Sequence, residues 1–330
     1  MSKIPLTVAC WDYDRTRALF DGRVRIEGCD ANFLGLPVEE TFLRALKSAE
    51  FDVAELSLSS YSMLHSKGQC PYIAIPVFLS RMFRHSAIYV RSDRGIDKPS
   101  DLIGRRIGVP EYQLTAPVWV RGMLQSEYGV KPSDIQWVTG GVEQSGRKEK
   151  VALKLPDDIR IGPIEAGATL SDALAKGELD GIIAPRKPSC FGPGKPGVKR
   201  LFADYKAAEQ AYYGKTGIFP IMHVVGIRRE LAEKHPWLPS SVLKAFVQSK
   251  DHVLADLAEV AALKATLPWL NEAYEEAVQL FGSDYWSYGL NKNKMVLDAF
   301  LEYHHSQGLS VKRLQAEELF HPATLEQYLL

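Results

Sequence analysis

The sequence predicts an α/β protein of two domains that face each other across a cleft. Three observations carry that expectation. The chain is 330 residues long, and domains of roughly 100–200 residues make two the natural count. Short β-like runs alternate with helical patterns over the first two thirds. The last third is helical. Alternating βα sets build layered sheets with helices on their faces, and ligands of such sheets bind beyond the carboxyl ends of the strands.

Composition narrows the function before any motif is read. A hydrophobic content of 46% supplies real cores, which excludes wholesale disorder. Forty basic and forty acidic residues cancel to a net charge of +0, so the footprint of a general nucleic-acid binder is missing. Cys10, Cys29, Cys70 and Cys190 form no CxxC pair and no zinc-spaced cluster, and they read as small buried hydrophobes of a reducing compartment. The apolar run Tyr72–Leu79 is far short of the roughly 20 residues a membrane helix needs. MSKIPLTVACWDYDRT reaches Asp12 before an apolar stretch of secretory length forms, so a cytoplasmic protein is expected.

The elements follow in order. Leu6–Cys10 and Val24–Ile26 read as strands, the latter followed by a turn at Glu27–Asp30. Val38–Ser48 is a helix with Phe42, Leu43 and Leu46 on one face. Phe51–Leu56, Tyr72–Leu79 and Ala87–Val90 are strands, and Ser92–Gly104 is a turn-rich crossover. A second set opens with strand Arg106–Val109, stopped by Pro110. Thr115 then caps a helix running to Tyr128, with Pro117 tolerated in the first turn. Gln136–Thr139 is a strand, Gly146–Pro163 alternates as a hairpin does, Ser171–Lys176 is a helix and Gly181–Ala184 a buried strand. A Gly/Pro/Lys-rich loop at 191–199 precedes the apolar stretch Phe219–Ile227. Ser240 caps a helix over Ser241–Leu267, and Glu272–Phe281 and Lys294–Gln307 complete the helical end.

The loops after these strands carry polar groups: Trp11–Thr16, Glu55–Tyr61, Ser80–Ser86, Glu111–Thr115, Gly140-Gly141 and Pro185-Arg186, with His223 inside the last apolar stretch. On residue types alone they indicate an anionic or polyhydroxylated ligand and no particular reaction, since polar loops follow strands in most α/β proteins.

A resemblance sharpens this reading. YDRT at 13–16, ELSLSSY at 55–61, RHSAIYVR at 84–91, PEYQLTAPVWVRGML at 110–124, EYGV at 127–130, WVTGG at 137–141 and FPIMHVV at 219–225 resemble, in order, the 4,5-dihydroxyphthalate decarboxylase family. The resemblance covers the first 230 residues and is weaker through the helical end. It implies a type II periplasmic-binding-protein fold with one domain over residues 95–220 and the other over 1–94 plus 221–330. It also implies an enzyme that removes CO2 from an aromatic diacid, 4,5-dihydroxyphthalate going to protocatechuate.

That chemistry assigns work to the loops. Direct loss of CO2 leaves an aryl carbanion, whereas protonating the carboxylate-bearing carbon first, with electron release from the para oxygen, gives a dienone that loses CO2 as aromaticity returns. The ring is its own electron sink, so no cofactor is required. An acid over the ring carbon is needed, with a pKa near working pH, and histidine is the default. His223, His85 and Glu111 are the candidates. Each has a plainer reading: a satisfied buried histidine, a solvated loop residue and a surface acid, respectively. Arg15, Arg81 and Arg186 suit bidentate carboxylate recognition, against solvated or structural roles. Asp14 orients Arg15 or a hydroxyl. Ser57, Ser59 and Ser60 lack a GxSxG elbow and offer hydroxyls to phenolic or carboxylate oxygens. Tyr112 and Thr115 lie in the same matched string. Thr115 is a plain N-cap whose helix start also exposes amides to a carboxylate.

Other readings remain open at this stage. A solute-binding protein for an aromatic or sulfonated anion uses the same cleft but is exported. Another enzyme of this fold, such as one of the menaquinone pathway, is separated by substrate. A divalent metal requires ligands converging from distant loops, because no HExxH-like set is present. FGPGKPG lacks the ending of a P-loop. No nucleic-acid or membrane partner is expected. Tyr285, Trp286 and Tyr288 either support a homo-oligomer or pack within the helical end.

Overall fold

A computed structural model describes residues 3–326; the first two residues of the stretch read for a secretion signal, and the last four of the C-terminal segment, lie outside the described residues. Sheet I is built from β1 (Ile4–Cys10), β2 (Cys29–Gly35), β3 (Val53–Ser57), β4 (Tyr72–Arg81) and β11 (Ile221–Arg228), in the order β2-β1-β3-β11-β4. Sheet II holds β5 (Ile88–Arg91), β6 (Arg106–Val109), β7 (Gln136–Thr139), β8 (Ile161–Pro163), β9 (Gly181–Ile183) and β10 (Val198–Arg200), in the order β10-β5-β9-β6-β7-β8. Helices α1 (Arg17–Phe20), α2 (Val38–Ser48) and α3 (Leu58–Ser66) follow the first strands. Helices α4 (Thr115–Tyr128) and α5 (Leu170–Lys176) cover sheet II, and α6 (Tyr205–Thr216) leads back to sheet I. The C-terminal third is α7 (Arg229–Lys234), α8 (Leu238–Leu257), α9 (Leu270–Phe281) and α10 (Lys294–Ser306).

The strand that matters most is β11. It runs antiparallel between β3 and β4, which it joins into one sheet. Gly226 makes the fit possible, because a Cβ there would come within 2.5 Å of the Leu56 side chain. The register against β4 shifts on both sides of His223. Such an irregularity re-aims a side chain, and here the affected residue is a candidate acid.

One apolar core runs through both lobes. Trp119 and Val118 of α4 belong to the same buried cluster as Ile221 and Val224 of β11 and Phe300 of α10. Trp119 donates its indole N–H to the Ile221 carbonyl at 2.8 Å. Gln307 donates to the Val118 carbonyl at 3.0 Å and accepts from the Arg121 guanidinium at 2.8 Å. Gly122 lies under the Tyr303 ring so closely that a Cβ would overlap it. A smaller core, including Leu170, Leu174 and Ile182, seals α5 onto sheet II.

Several expectations are corrected. Val24–Ile26 is no strand: the Val24 amide closes back on the Ala18 carbonyl, and pairing with β1 begins at Cys29. The ELSLSSY stretch is not a loop, since Ser57 caps α3 by accepting the Ser60 amide. Within Gly146–Pro163 only Ile161–Pro163 is a strand, and it pairs parallel to β7, so there is no hairpin. Helix α6 was not read from the sequence. Ser240 lies inside α8 and does not cap it, and the helix stops at Leu257. Beyond it Val260, Leu263 and Leu267 are exposed, so that segment has no apolar stripe to bury. Strand β5, placed before the boundary at residue 94, hydrogen-bonds in sheet II with β9 and β10.

Candidate active site

The carboxyl ends of β1, β3 and β4 and the start of β11 converge on one edge of sheet I, and His223 lies among them. Its backbone is opposite Ser57 on β3, two residues from the pairing of Val225 with Glu55. Alternate strand residues share a face, so Glu55, Ser57 and His223 all point the same way. The Nδ1 atom of His223 is 2.7 Å from Glu55 Oε1. Glu55 is 0% exposed, and its carboxylate also accepts the Tyr13 hydroxyl at 2.8 Å and the Trp11 amide at 3.0 Å. Phe42 of α2 meets the imidazole edge-to-face, with ring centroids 4.8 Å apart. The side chain of His223 keeps 17% exposure, so one edge of a well-anchored ring faces open space. Burial and the Glu55 charge push the Tyr13 phenol far up, which keeps it a donor.

The serines and Thr115 form a second cluster, where the starts of α3 and α4 meet. Ser57 and Thr115 hydroxyls are 3.0 Å apart, and Thr115 accepts the Ser59 amide at 3.1 Å. Ser60 donates to the Gln113 side chain at 3.0 Å, and His304 of α10 reaches the Ser59 hydroxyl at 3.1 Å. Thr115 is therefore not the cap of its own helix: Leu114 holds that position, and α4 begins with no side-chain cap and no acid in its first turn. Pro117 has no N–H and the Val118 amide pairs with the Leu114 carbonyl, so only the Thr115 and Ala116 amides start the helix without an intrahelical acceptor.

The arginines divide. Arg15 lies between the Tyr13 and Trp286 rings, at 3.9 and 4.4 Å from their centroids. It donates to the Leu79 carbonyl at 2.7 Å and pairs with the exposed Asp14 at 3.0 Å. Arg186 is 69% exposed and lies 3.7 Å from Glu39 of α2. Arg81 is a correction: it is buried, and its guanidinium goes to the Phe219 and Ser287 carbonyls and the Asn293 side chain. It staples the C-terminal segment to β4 and offers nothing to the cleft.

Two candidate acids are also placed elsewhere. His85 is buried against Phe202 and Tyr212 with neither ring nitrogen hydrogen-bonded, and burial pulls its pKa down to about 4. Glu111, 1% exposed, is held by Arg147 at 2.8 Å and Lys150 at 3.4 Å and accepts from Gln113. It is a structural carboxylate. The Tyr112 ring is buried between Arg121 and Trp137, away from the His223 cluster.

Sequence reading passed over Glu55, Phe42, Gln113 and Arg147. For Glu55 a signal existed: it is the lone charge in an otherwise buried strand, VAELS, and such charges are rare unless partnered. Among the described residues no group of three His, Cys, Asp or Glu side chains is placed to hold a metal ion, and no helix is long and apolar enough to cross a membrane. The aromatic cluster turns inward: Tyr288 is buried, and the Trp286 indole donates to the Phe78 carbonyl at 3.0 Å.

Comparison with known proteins places this geometry in context. Residues 36–187 match a family model described as ABC transporter, phosphonate, periplasmic substrate-binding protein. The chain is 53% identical over 328 residues to a 4,5-dihydroxyphthalate decarboxylase of Comamonas testosteroni, covering 99% of both chains. It is 52% identical over 213 residues to a 4,5-dihydroxyphthalate decarboxylase of Pseudomonas putida, covering 64% of this chain and 83% of that one. Among solved structures it resembles the periplasmic aliphatic sulphonate binding protein SsuA of Escherichia coli, at a TM-score of 0.52 and 14% identity, with 97% of this chain and 98% of that one covered. That likeness identifies the architecture as the type II periplasmic-binding-protein fold.

Proposed function

The chain belongs to the 4,5-dihydroxyphthalate decarboxylase family, and from that premise we propose that it converts 4,5-dihydroxyphthalate to protocatechuate and CO2 in the cleft beside His223. The observation that carries this reading is the 53% identity sustained over 99% of both chains. A cytoplasmic site of action fits a catabolic step on a small aromatic acid.

In the proposed reaction the His223 imidazolium delivers a proton from Nε2 to the ring carbon bearing the departing carboxylate. Electron density from the para oxygen forms the new C–H bond and a dienone. The C–C bond to the carboxylate then breaks, its electron pair restores the aromatic ring, and CO2 leaves. The phenolic oxygen regains its proton, and one proton is consumed overall. The chain's own groups serve each need. Glu55 and Phe42 hold the imidazole. Arg15, in the turn after β1 and tied to the Leu79 carbonyl of β4, is the cation for a carboxylate. The uncapped start of α4 suits the remaining anionic oxygens, while the buried serine hydroxyls are engaged with Thr115, Gln113 and His304. Acid catalysis by one positioned group is worth about 10²–10⁴-fold.

Incubating purified protein with 4,5-dihydroxyphthalate and following CO2 and protocatechuate by chromatography tests the reading. Stoichiometric formation of both is expected; no turnover of any hydroxylated phthalate removes it.

A further inference from the structure

Glu55 accepts three hydrogen bonds while fully enclosed by protein. Two of the donors have no alternative role toward it: the Trp11 backbone amide and the Tyr13 hydroxyl. An ionised carboxylate only accepts, so the third partner must donate as well. The proton of the neutral His223 ring therefore belongs on Nδ1, and Nε2 is the atom left for exchange. Among the described residues Nε2 has no hydrogen-bond partner. Phe42, edge-to-face at 81°, limits rotation of the ring about that bond.

We propose that Glu55 is the positioning residue of the decarboxylation, selecting the Nδ1–H tautomer of His223 so that Nε2 gives up its proton to the substrate ring and takes one back without any rearrangement of the imidazole. The proposal rests on His223 being the ring-protonating acid. When the imidazolium loses its Nε2 proton, the product is already the tautomer that Glu55 holds. The Nδ1–H···Oε1 bond persists through the cycle, and the buried carboxylate keeps all three donors throughout. Tyr13 takes part by sharing Oε1, and it fixes which carboxylate oxygen faces the histidine. A second-sphere carboxylate that sets a histidine tautomer acts through orientation rather than by contact with substrate.

The test begins with the intact wild-type chain carrying 15N-labelled histidine, with His223→Gln used to assign the His223 signals. Nitrogen shifts above neutral pH are expected to report Nδ1 protonated and Nε2 bare; the opposite tautomer overturns the proposal without any variant of Glu55. Glu55→Gln, which preserves size, is expected to lower kcat about a hundredfold with KM within threefold, and to mix the two tautomers. Glu55→Asp is expected to restore part of kcat and the Nδ1–H signature. A Glu55→Gln enzyme that keeps more than a third of kcat removes the positioning role. If His223→Ala is inactive in the same assay, only that role falls. If His223→Ala still decarboxylates, the acid assignment beneath it falls too.

Discussion

The hydroxyl of Thr115, on the first residue of α4, accepts the backbone amide of Ser59 at 3.1 Å and so caps α3, a helix of the other lobe. The same oxygen lies 3.0 Å from the Ser57 hydroxyl. One buried threonine thus satisfies an orphan helix donor that no residue of α3 itself reaches. Thr115→Val keeps the shape and strands the Ser59 amide, while the Ser57 hydroxyl keeps the Ser60 amide. The cost of leaving buried groups unsatisfied is about 1–3 kcal/mol, to be read as a lower urea midpoint with an unchanged slope, while Thr115→Ser should lose much less.

Kinetics separate the roles of His223 and Arg15. His223→Ala is expected to lower kcat at least a hundredfold while calorimetric affinity for the diacid stays within an order of magnitude. Arg15→Ala is expected to act mainly on KM, since a substrate carboxylate left without its cation costs about 2–5 kcal/mol. Arg15→Lys should not rescue it, because the guanidinium plane between Tyr13 and Trp286 has no counterpart in an ammonium. A His223→Ala enzyme retaining more than a tenth of kcat contradicts the acid role.

Ion pairs cross between the lobes at Glu39, which lies 3.4 Å from Arg147 and 3.7 Å from Arg186. All three side chains keep contact with solvent, so each pair is worth no more than about 1 kcal/mol. Glu39→Gln should raise KM about two- to fivefold at low salt. The difference should vanish near 1 M salt, where screening acts within about 3 Å. Arg147→Met is a different case, because Glu111 is buried and would lose its nearest cation, keeping Lys150 and the Gln113 side-chain amide. With those partners remaining, the loss should fall nearer the cost of an unmade charged hydrogen bond, about 1–3 kcal/mol, which thermal unfolding will show.

Acid should destabilise the fold through two histidines. Burial lowers the pKa of His85 to about 4 and of His304 to about 3, against 6.5 in an unfolded chain. Below pH 6.5 the unfolded chain binds protons that the folded chain refuses. The stability these groups contribute is present above that pH and is lost as the pH falls toward 4, by up to about 1.4 kcal/mol per pH unit for each. His85→Phe, which suits the surrounding Phe202 and Tyr212 rings, should flatten the fall in urea midpoint between pH 7 and 5 and leave turnover intact. An unchanged slope would show that His85 is not the source.

Much of the fold was legible because its strands are short, β-branched and bounded by Gly and Pro. The ranges read for α2, β6 and β7 coincide with the observed ones. Helix α3 was hidden because Ser59 and Ser60 look like loop residues, and their hydroxyls find partners only in the other lobe and at the C-terminal end, on Gln113 and His304. The site was legible in part. His223 and Arg15 stand on converging strand ends, whereas Arg81 and His85, equally suggestive in one dimension, are consumed by packing. What separates Glu111 from Glu55 is the partner: Arg147 lies 36 positions away from the first and His223 lies 168 positions from the second. No local pattern conveys either distance.

The central place of β11 also dictates an order of events during synthesis. Its residues 221–228 leave the ribosome well after β3 and β4, which meet only through it. Until then the nascent chain carries two apolar strands with open edges, the exposure that invites mispairing, while all of sheet II has already emerged. Docking of β11 closes both edges in a single step, and that step also delivers His223 to Glu55. The sheet and the Glu55–His223 pair are thus completed together, so a molecule whose first lobe remains half-paired lacks the site proposed for the reaction.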